Sequence, residues 1–402
     1  MRLLRCIVVL LMLSCCVSTL LPAQGKAYNF KPLEAALRKA VSDSVFPGAS
    51  VAVLYKGNVV FHKAFGRMTY NAGSTPVDTT TLYDLASLTK AISTTSIVMQ
   101  LVERDSLSLQ APVATYLPDF GNNGKQKVTI EQLLRHTSGL RAHTLFSKSC
   151  STSGEIFRAI ASDTLLTAPG TTTLYSDLGF MLLGKIVETT TGKSVASNFA
   201  ERFAKPLRMS STLFTPPPSL QQRIAPVEKD TLWPLTTPRP LVHDKNAALL
   251  GGVAGHAGLY STTGDLLRMT AMLMNGGTME GRLYIKKTIL KKFLSRGNSS
   301  RALGWDLRSL DGHSSSGDYF SSSSYGHLGY TGTSLWIDPE RELAVILLSN
   351  RVYPTSENSK IRKFRPLFHN TVVQCLGFPI RQITPPSEQK RVELSPATPG
   401  EK

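Results

Sequence analysis

The chain has 402 residues, 42% hydrophobic and 18% charged, with a formal net charge of +17. That length suits one large domain or two fused lobes, and the balance excludes a disordered or membrane-filling protein. The basic excess favours anionic partners such as carboxylate substrates or acidic envelope polymers. Nucleic acid is set aside, because Lys and Arg are scattered and no zinc-finger or RNP-like motif occurs.

At the N-terminus, Arg2 and Arg5 precede an apolar run from Cys6 to Leu21, followed by Pro22-Ala23-Gln24. This predicts a secretory signal over residues 1–23, cleaved after Ala23 and too short to span a bilayer. Met12-Leu13-Ser14-Cys15 loosely resembles a lipoprotein signal, the alternative in which Cys15 carries lipid. Either way the chain is expected in the periplasm or exterior of a bacterium, with envelope association following from the second reading. Losing Arg2 and Arg5 brings the net charge from +17 to +15. The remaining thiols, Cys150 and Cys375, are either a disulfide or buried free cysteines.

Apolar residues at helical spacing predict a helix over Lys31–Ser44. Ala49–Tyr55 and Val59–Phe65, joined by Lys56-Gly57-Asn58, predict an antiparallel hairpin. Both faces of its first strand are apolar, so the sheet should be covered on both sides. From Asp84 to about Glu103, Leu88, Ile92, Thr95, Met99 and Val102 predict a helix with one buried stripe. Helical patterns then dominate: Thr129–His136, Gly154–Ser162, Ser176–Thr190, Ser194–Phe203, Thr263–Asn275 and Leu283–Leu294. The proline-rich stretch from Pro216 to Pro240 predicts extended loop. Strands return at Thr333–Asp338 and Leu343–Leu348, joined by Pro339-Glu340-Arg341, and a helix is expected over Ser359–Val373. The tail, residues 384–402, is rich in Pro, Glu and Lys and is expected to be disordered.

Strands at both ends and helices between them predict an α/β (α+β) fold, an antiparallel sheet from both chain ends with an inserted helical lobe, in one unit over residues 30–380. Its sheet lobe would comprise about 30–85 and 300–375, and its helical lobe about 105–295. A groove between the lobes would collect residues far apart in sequence.

Three short motifs supply candidate chemistry. Ser87 and Lys90 are three apart at a predicted helix start, so both project from one face. The first turn also offers free N–H groups to developing negative charge. A lysine desolvated there would have its pKa lowered toward that of a base. Ser387-Glu388-Gln389-Lys390 has the same spacing in the tail, so the pattern alone is a plain helix turn. Tyr175-Ser176-Asp177 stands at a loop-to-helix junction. Its phenol can relay protons, or merely pack its ring, while Asp177 can orient Lys90 or cap the helix.

His327-Leu328-Gly329 and His256-Ala257-Gly258 both fit a His-x-Gly element. The former is preferred because Gly326, Gly329 and Gly332 let a substrate approach the backbone of a strand edge. His256 is read as part of a tight glycine-rich turn, and His136 as a hydrogen-bonding residue at a helix end. No Gly-x-Ser-x-Gly, His-Glu-x-x-His, phosphate loop or dinucleotide fingerprint occurs, and the histidines lack metal-ligand spacing.

With these residues in order, the chain resembles the serine β-lactamase and penicillin-binding-protein superfamily. The likeness is to its class C-like branch of D-alanyl-D-alanine carboxypeptidases and β-lactamase-fold esterases, over about Phe30 to Gln374. Leu134–Leu140, His243–Ala247, Gly252–Leu259 and Gly326–Ser334 also carry it. The resemblance implies a metal-free, cofactor-free serine hydrolase. Ser87 would form the acyl-enzyme, Lys90 would assist, and Tyr175 would move the protons. The backbone N–H groups of Ser87 and Tyr330 would form the oxyanion hole, and Asp177, His327 and Gly329 would contact substrate. His327 stands where class C β-lactamases have lysine, and Asp177 replaces the usual asparagine of Tyr-x-Asn. A carboxylate there repels a substrate carboxylate, so β-lactam turnover is expected to be weak. The expected substrates are D-amino-acid peptides from peptidoglycan, or small esters and amides. The rival reading is an inactive envelope-binding protein that keeps the fold.

Overall fold

The computed structural model describes residues 28–228, 242–296, 301–310 and 314–379. The expected signal over 1–23 with Cys15, and the expected tail over 384–402, lie outside these residues.

In chain order the elements are α1 (Lys31–Ser42), β1 (Gly48–Tyr55), β2 (Asn58–Gly66), β3 (Tyr83–Asp84), α2 (Ser96–Glu103), α3 (Ile130–Leu134) and α4 (Ser153–Ser162). Next come α5 (Asp177–Thr191), α6 (Val195–Phe199), β4 (Leu213–Phe214), α7 (Lys245–Leu249), β5 (Leu259–Ser261) and α8 (Thr263–Met274). The last group is β6 (Thr278–Met279), β7 (Arg282–Leu283), α9 (Lys287–Leu294), β8 (Asp306–Leu307), β9 (Tyr325–Leu328), β10 (Ser334–Asp338), β11 (Leu343–Ser349) and α10 (Ile361–Cys375).

The two ends of the chain meet in one sheet of order β2-β1-β11-β10-β9-β8, with antiparallel neighbours throughout. Val53 pairs with Val345, which pairs in turn with Trp336. Because side chains alternate along a strand, β1 feeds two cores. Val51, Val53 and Tyr55 join one with Leu33 and Leu37 of α1 and Phe368 and Val372 of α10. Ala52 and Leu54 face the other, with Ile97 of α2, Leu183 of α5 and Met269 of α8. Every residue of β1 is buried, as its two apolar faces predict.

The expected helices fall where their periodicity puts them, with three departures. The Ser194–Phe203 segment is α-helical only over Val195–Phe199 and runs as a π-helix over Ala200–Ala204. The segment after Asp84 begins as a turn, runs as a π-helix over Lys90–Thr95 and becomes α-helical at Ser96. The predicted helix from Leu283 starts only at Lys287, since Arg282 and Leu283 pair with Thr278 and Met279 as a hairpin. The proline-rich stretch opens with a 3-10 turn over Pro218–Arg223, and residues 229–241 lie outside the description. A small sheet β3-β5-β4 ties the start of the nucleophile segment to the helical lobe.

The disulfide alternative is corrected: Cys150 and Cys375 are free thiols. They belong to the cores on opposite faces of the sheet, Cys150 to the one that holds Ile97 and Leu183 and Cys375 beside the one that holds Leu33 and Phe368.

Candidate active site

Ser87 sits on a turn that other parts of the chain hold in shape. The Asp84 carboxylate, 2% exposed, accepts the backbone N–H of Ala86 at 2.8 Å and of His243 at 2.7 Å. Ala86 is left-handed, with φ +47°, a conformation that costs an alanine about 1–2 kcal/mol. From the turn after β9, the Thr331 hydroxyl donates to Asp84 O at 2.6 Å and that of Thr333 to Leu85 O at 3.0 Å. These bonds hold Ser87 at the entrance of the helical segment, where its Oγ meets Lys90.

The Lys90 side chain is fully buried, and its ammonium has three acceptors. It donates to Ser87 Oγ at 3.0 Å, Asp177 Oδ1 at 2.7 Å and the His256 carbonyl at 3.0 Å. The expectation of a lowered lysine pKa is therefore corrected. Burial pulls it down, but Asp177 and Tyr175 outweigh that and hold Lys90 above its ordinary value. The Asp177 carboxyl resists ionisation through burial, yet Lys90 and His143 hold it well below the usual carboxylate range.

Tyr175 interacts with both Ser87 and Lys90 through its phenol. Its ring lies between two cations, Lys90 Nζ at 5.0 Å and the Arg301 guanidinium at 4.9 Å from the centroid. The His136 ring is 4.5 Å away on centroids. Burial raises the Tyr175 pKa against the pull of Lys90, so the resting side chain is a phenol. His136 Nδ1 accepts the Ser176 N–H at 2.9 Å, in keeping with its reading as a local hydrogen-bonding residue. Asp177 does not cap α5, because the Ser176 hydroxyl does, accepting from Gly179 N. The Asp177 carboxylate is thereby free for Lys90 and, at 3.3 Å, for the half-exposed His143.

His327 lies on β9 with its ring centroid 6.1 Å from that of Tyr175. Its Nδ1–H donates to Leu328 O at 2.8 Å, and its buried Nε2 has no protein partner. Burial depresses its pKa to about 4, so the imidazole is neutral and offers a lone pair rather than a charge. Gly329 is required: a Cβ there would stand 2.0 Å from Thr333 Oγ1 and 2.3 Å from Leu85 O. Among the described residues, the Ser87 and Tyr330 N–H groups take no acceptor from the surrounding turns, which leaves both as donors for an oxyanion.

The sequence-predicted residues Ser87, Lys90, Tyr175, Asp177, His327 and Gly329 thus converge, with Tyr330 at the rim. Sequence reasoning missed several others. The His256 carbonyl holds Lys90, while its ring is buried against Asp244 Oδ1 at 2.9 Å. Arg365, on α10, donates from behind to Gly329 O at 2.9 Å and Thr333 O at 2.8 Å. Arg351 Nε donates to Tyr330 O at 2.8 Å, and its guanidinium lies 4.4 Å from that ring centroid. His143, Arg301 and Asp84 complete the list. A glycine packed against two backbones around His256 was the one available signal: a Cβ on Gly255 would lie 2.1 Å from Phe180 O. Among the described residues, no group of three or more His, Cys, Asp or Glu side chains is placed to hold a metal.

Comparison with known proteins places the chain in a family. The family described as Beta-lactamase matches residues 33–367. A protein of Escherichia coli (strain K12) named "Putative D-alanyl-D-alanine carboxypeptidase" is 31% identical over 361 residues, covering 79% of this chain and 82% of its own length. A penicillin-binding protein homolog from Caulobacter crescentus has a TM-score of 0.69 at 21% identity, covering 86% of this chain and 97% of its own. A family VIII carboxylesterase has a TM-score of 0.66 at 23% identity, covering 86% and 97%. Such distant structures establish the fold, and the family match extends over the segments that carry the nucleophile, the tyrosine and the glycine turn. The chain therefore belongs to the beta-lactamase family and is a serine hydrolase built on the fold of the penicillin-binding proteins.

Proposed function

We propose that the protein is an exported acyl hydrolase that works through an ester on Ser87. Its substrates are D-amino-acid peptides of the cell wall, or small esters and amides. The observation that carries this is the Lys90 ammonium held 3.0 Å from Ser87 Oγ with Asp177 and the His256 carbonyl as its other acceptors. All three of its N–H groups are spent, so Lys90 cannot take the serine proton in this state. The proton passes instead to Tyr175, which contacts both residues and becomes competent when it ionises beside the Lys90 cation. The Ser87 and Tyr330 N–H groups then receive the carbonyl oxygen as it gains charge. Tyr175 returns the proton to the leaving group and withdraws one from the water that attacks the acyl-enzyme.

A specific observation favours esters and amides over peptides ending in a free carboxylate. The strand edge at the site reads His327, Leu328, Gly329, and the Thr331 and Thr333 hydroxyls are turned inward onto the nucleophile turn. A terminal carboxylate finds no hydroxyl donor on this edge, and Asp177 adds a like charge. The test is Ser87→Ala with two probes, a p-nitrophenyl ester and a peptide ending in D-Ala-D-Ala. Wild type should turn over the ester faster and be labelled covalently by a fluorophosphonate, and the variant should do neither. An unlabelled wild type would leave the inactive envelope-binding reading in its place.

A further inference from the structure

A cavity of about 1170 Å³ lies apart from the catalytic residues: Ser87, Lys90, Tyr175 and His327 are not on its lining. It opens between the α8–α9 region and the far end of the sheet. Leu54, Leu290 and Ile337 form its buried floor, with Met274 and Met279 on the walls. Tyr325 reaches it from the start of β9, whereas His327, two residues on, belongs to the catalytic site.

The rim of this groove is cationic. Lys286, Lys287 and Lys291 line it, and residues 281–296 contain six Lys or Arg and no Asp or Glu. Nearby acids do not neutralise the patch. Glu103 matches Lys286 at 3.8 Å, Glu280 is taken up by Arg208 and Arg268, and Glu342 stands alone on the groove's lining. Arg282, Lys287 and Lys291 remain in excess. Beside them, Leu283 at the end of the β6–β7 hairpin is 54% exposed. A row of lysines next to an exposed leucine and an open apolar groove is the composition of a surface that lies in a lipid headgroup layer. A soluble polyanion would match the charges but leave the leucine and the groove in water.

We propose that this face docks on an anionic phospholipid bilayer. The lysines meet headgroup phosphates, and Leu283 and the groove mouth enter the interface. The inference does not depend on the hydrolase mechanism. The test is cosedimentation with vesicles of neutral phosphatidylcholine alone or with about 30% phosphatidylglycerol. Binding to neutral vesicles measures what Leu283, the groove mouth and any retained apolar N-terminal segment contribute without headgroup charge, and the increment from anionic lipid is the quantity compared. At roughly fivefold per cation, the triple variant Arg282→Gln/Lys287→Gln/Lys291→Gln should lose about a hundredfold of that increment. Leu283→Ser should weaken binding while leaving its salt dependence intact, and about 0.5 M salt should release the wild type. Circular dichroism and melting temperatures confirm that each variant is folded. A wild type indifferent to anionic lipid, a triple variant with an unchanged increment, or binding to soluble polyphosphate without binding to vesicles would each overturn the proposal.

Discussion

Replacing Asp177 by Asn tests how the buried cation is balanced. The carboxylate lies 2.7 Å from a fully buried Lys90 ammonium and is itself 18% exposed. At an effective dielectric of about 20, the gross attraction at that distance is roughly 6 kcal/mol. Removing one partner of such a pair costs about 3–5 kcal/mol if the other charge persists. The alternative is that Lys90 gives up its proton. From the ordinary value of 10.5, neutralisation costs about 5 kcal/mol at pH 7 and about 2 kcal/mol at pH 9, and burial makes both smaller. Asp177→Asn should therefore destabilise by about 3–5 kcal/mol near pH 7 and by about 2 kcal/mol or less at pH 9. At roughly 2 °C per kcal/mol, the melting point should fall about 6–10 °C at pH 7 and no more than about 4 °C at pH 9. A neutral Lys90 would also become a direct base for Ser87, so the alkaline limb of the acylation rate should move down by about one pH unit or more. Stopped-flow labelling with a fluorophosphonate and calorimetry across pH read both effects. A melting loss that does not vary with pH, together with an unshifted acylation profile, would refute the argument.

Tyr175→Phe keeps the ring between Lys90 and Arg301 but removes the phenol, so kcat should fall about 10²–10⁴-fold with little change in melting temperature. Wild-type activity should climb as pH rises above neutrality, because burial holds the resting phenol protonated; a flat profile from pH 7 to pH 10 would contradict a tyrosine relay. Gly329→Ala forces a methyl to 2.3 Å from Leu85 O and must displace the turn that presents the Tyr330 N–H, so kcat should drop about 10²–10³-fold with KM nearly unchanged. His327 and His369 are buried neutral with pKa values depressed to about 4 from 6.5. Each contributes stability that is complete above about pH 6.5 and lost as pH falls toward 4, up to about 3 kcal/mol per residue. Urea midpoints at pH 7.5 and 4.5 should show this, and His369→Gln should flatten the slope.

What the sequence made legible was whatever depends on neighbours along the chain. Helical spacing located α1, α5 and α8. Alternation with apolar residues on both faces of Ala49–Tyr55 foretold the two cores that share β1. The three-residue step from Ser87 to Lys90 foretold their contact, now seen at 3.0 Å. What remained hidden depends on backbone atoms and on approach from behind. The His256 carbonyl serves Lys90 without any sequence signature, because every residue has a carbonyl. Arg365 and Arg351 read as ordinary charges on a basic chain, yet they grip the carbonyls of the glycine turn. The sign of the lysine pKa shift was equally out of reach, since it turns on whether Asp177 faces Lys90 or caps its own helix. Ser176 takes the cap, and that local competition decides the electrostatics of the site.

The turn that carries Ser87 is strained, and most of the bonds that hold it in shape come from remote parts of the chain. Ala86 alone costs about 1–2 kcal/mol in its left-handed conformation, and the Asp84 carboxylate two residues earlier offsets part of this by accepting the Ala86 N–H. Asp84 supplies two acceptors, one of them for the His243 N–H of the helical lobe, and the Thr331 and Thr333 hydroxyls supply two donors from beyond β9. Those threonines are in place only when β10 pairs with β11 and β11 with β1. Arg365 then locks the same turn to α10, the last element among the described residues. Competence of Ser87 is therefore a property of the closed sheet. A partly folded chain can bring Ser87 and Lys90 together within one helical turn, but it has neither the Tyr330 N–H in place nor the Thr331, Thr333 and His243 bonds that fasten the strained turn.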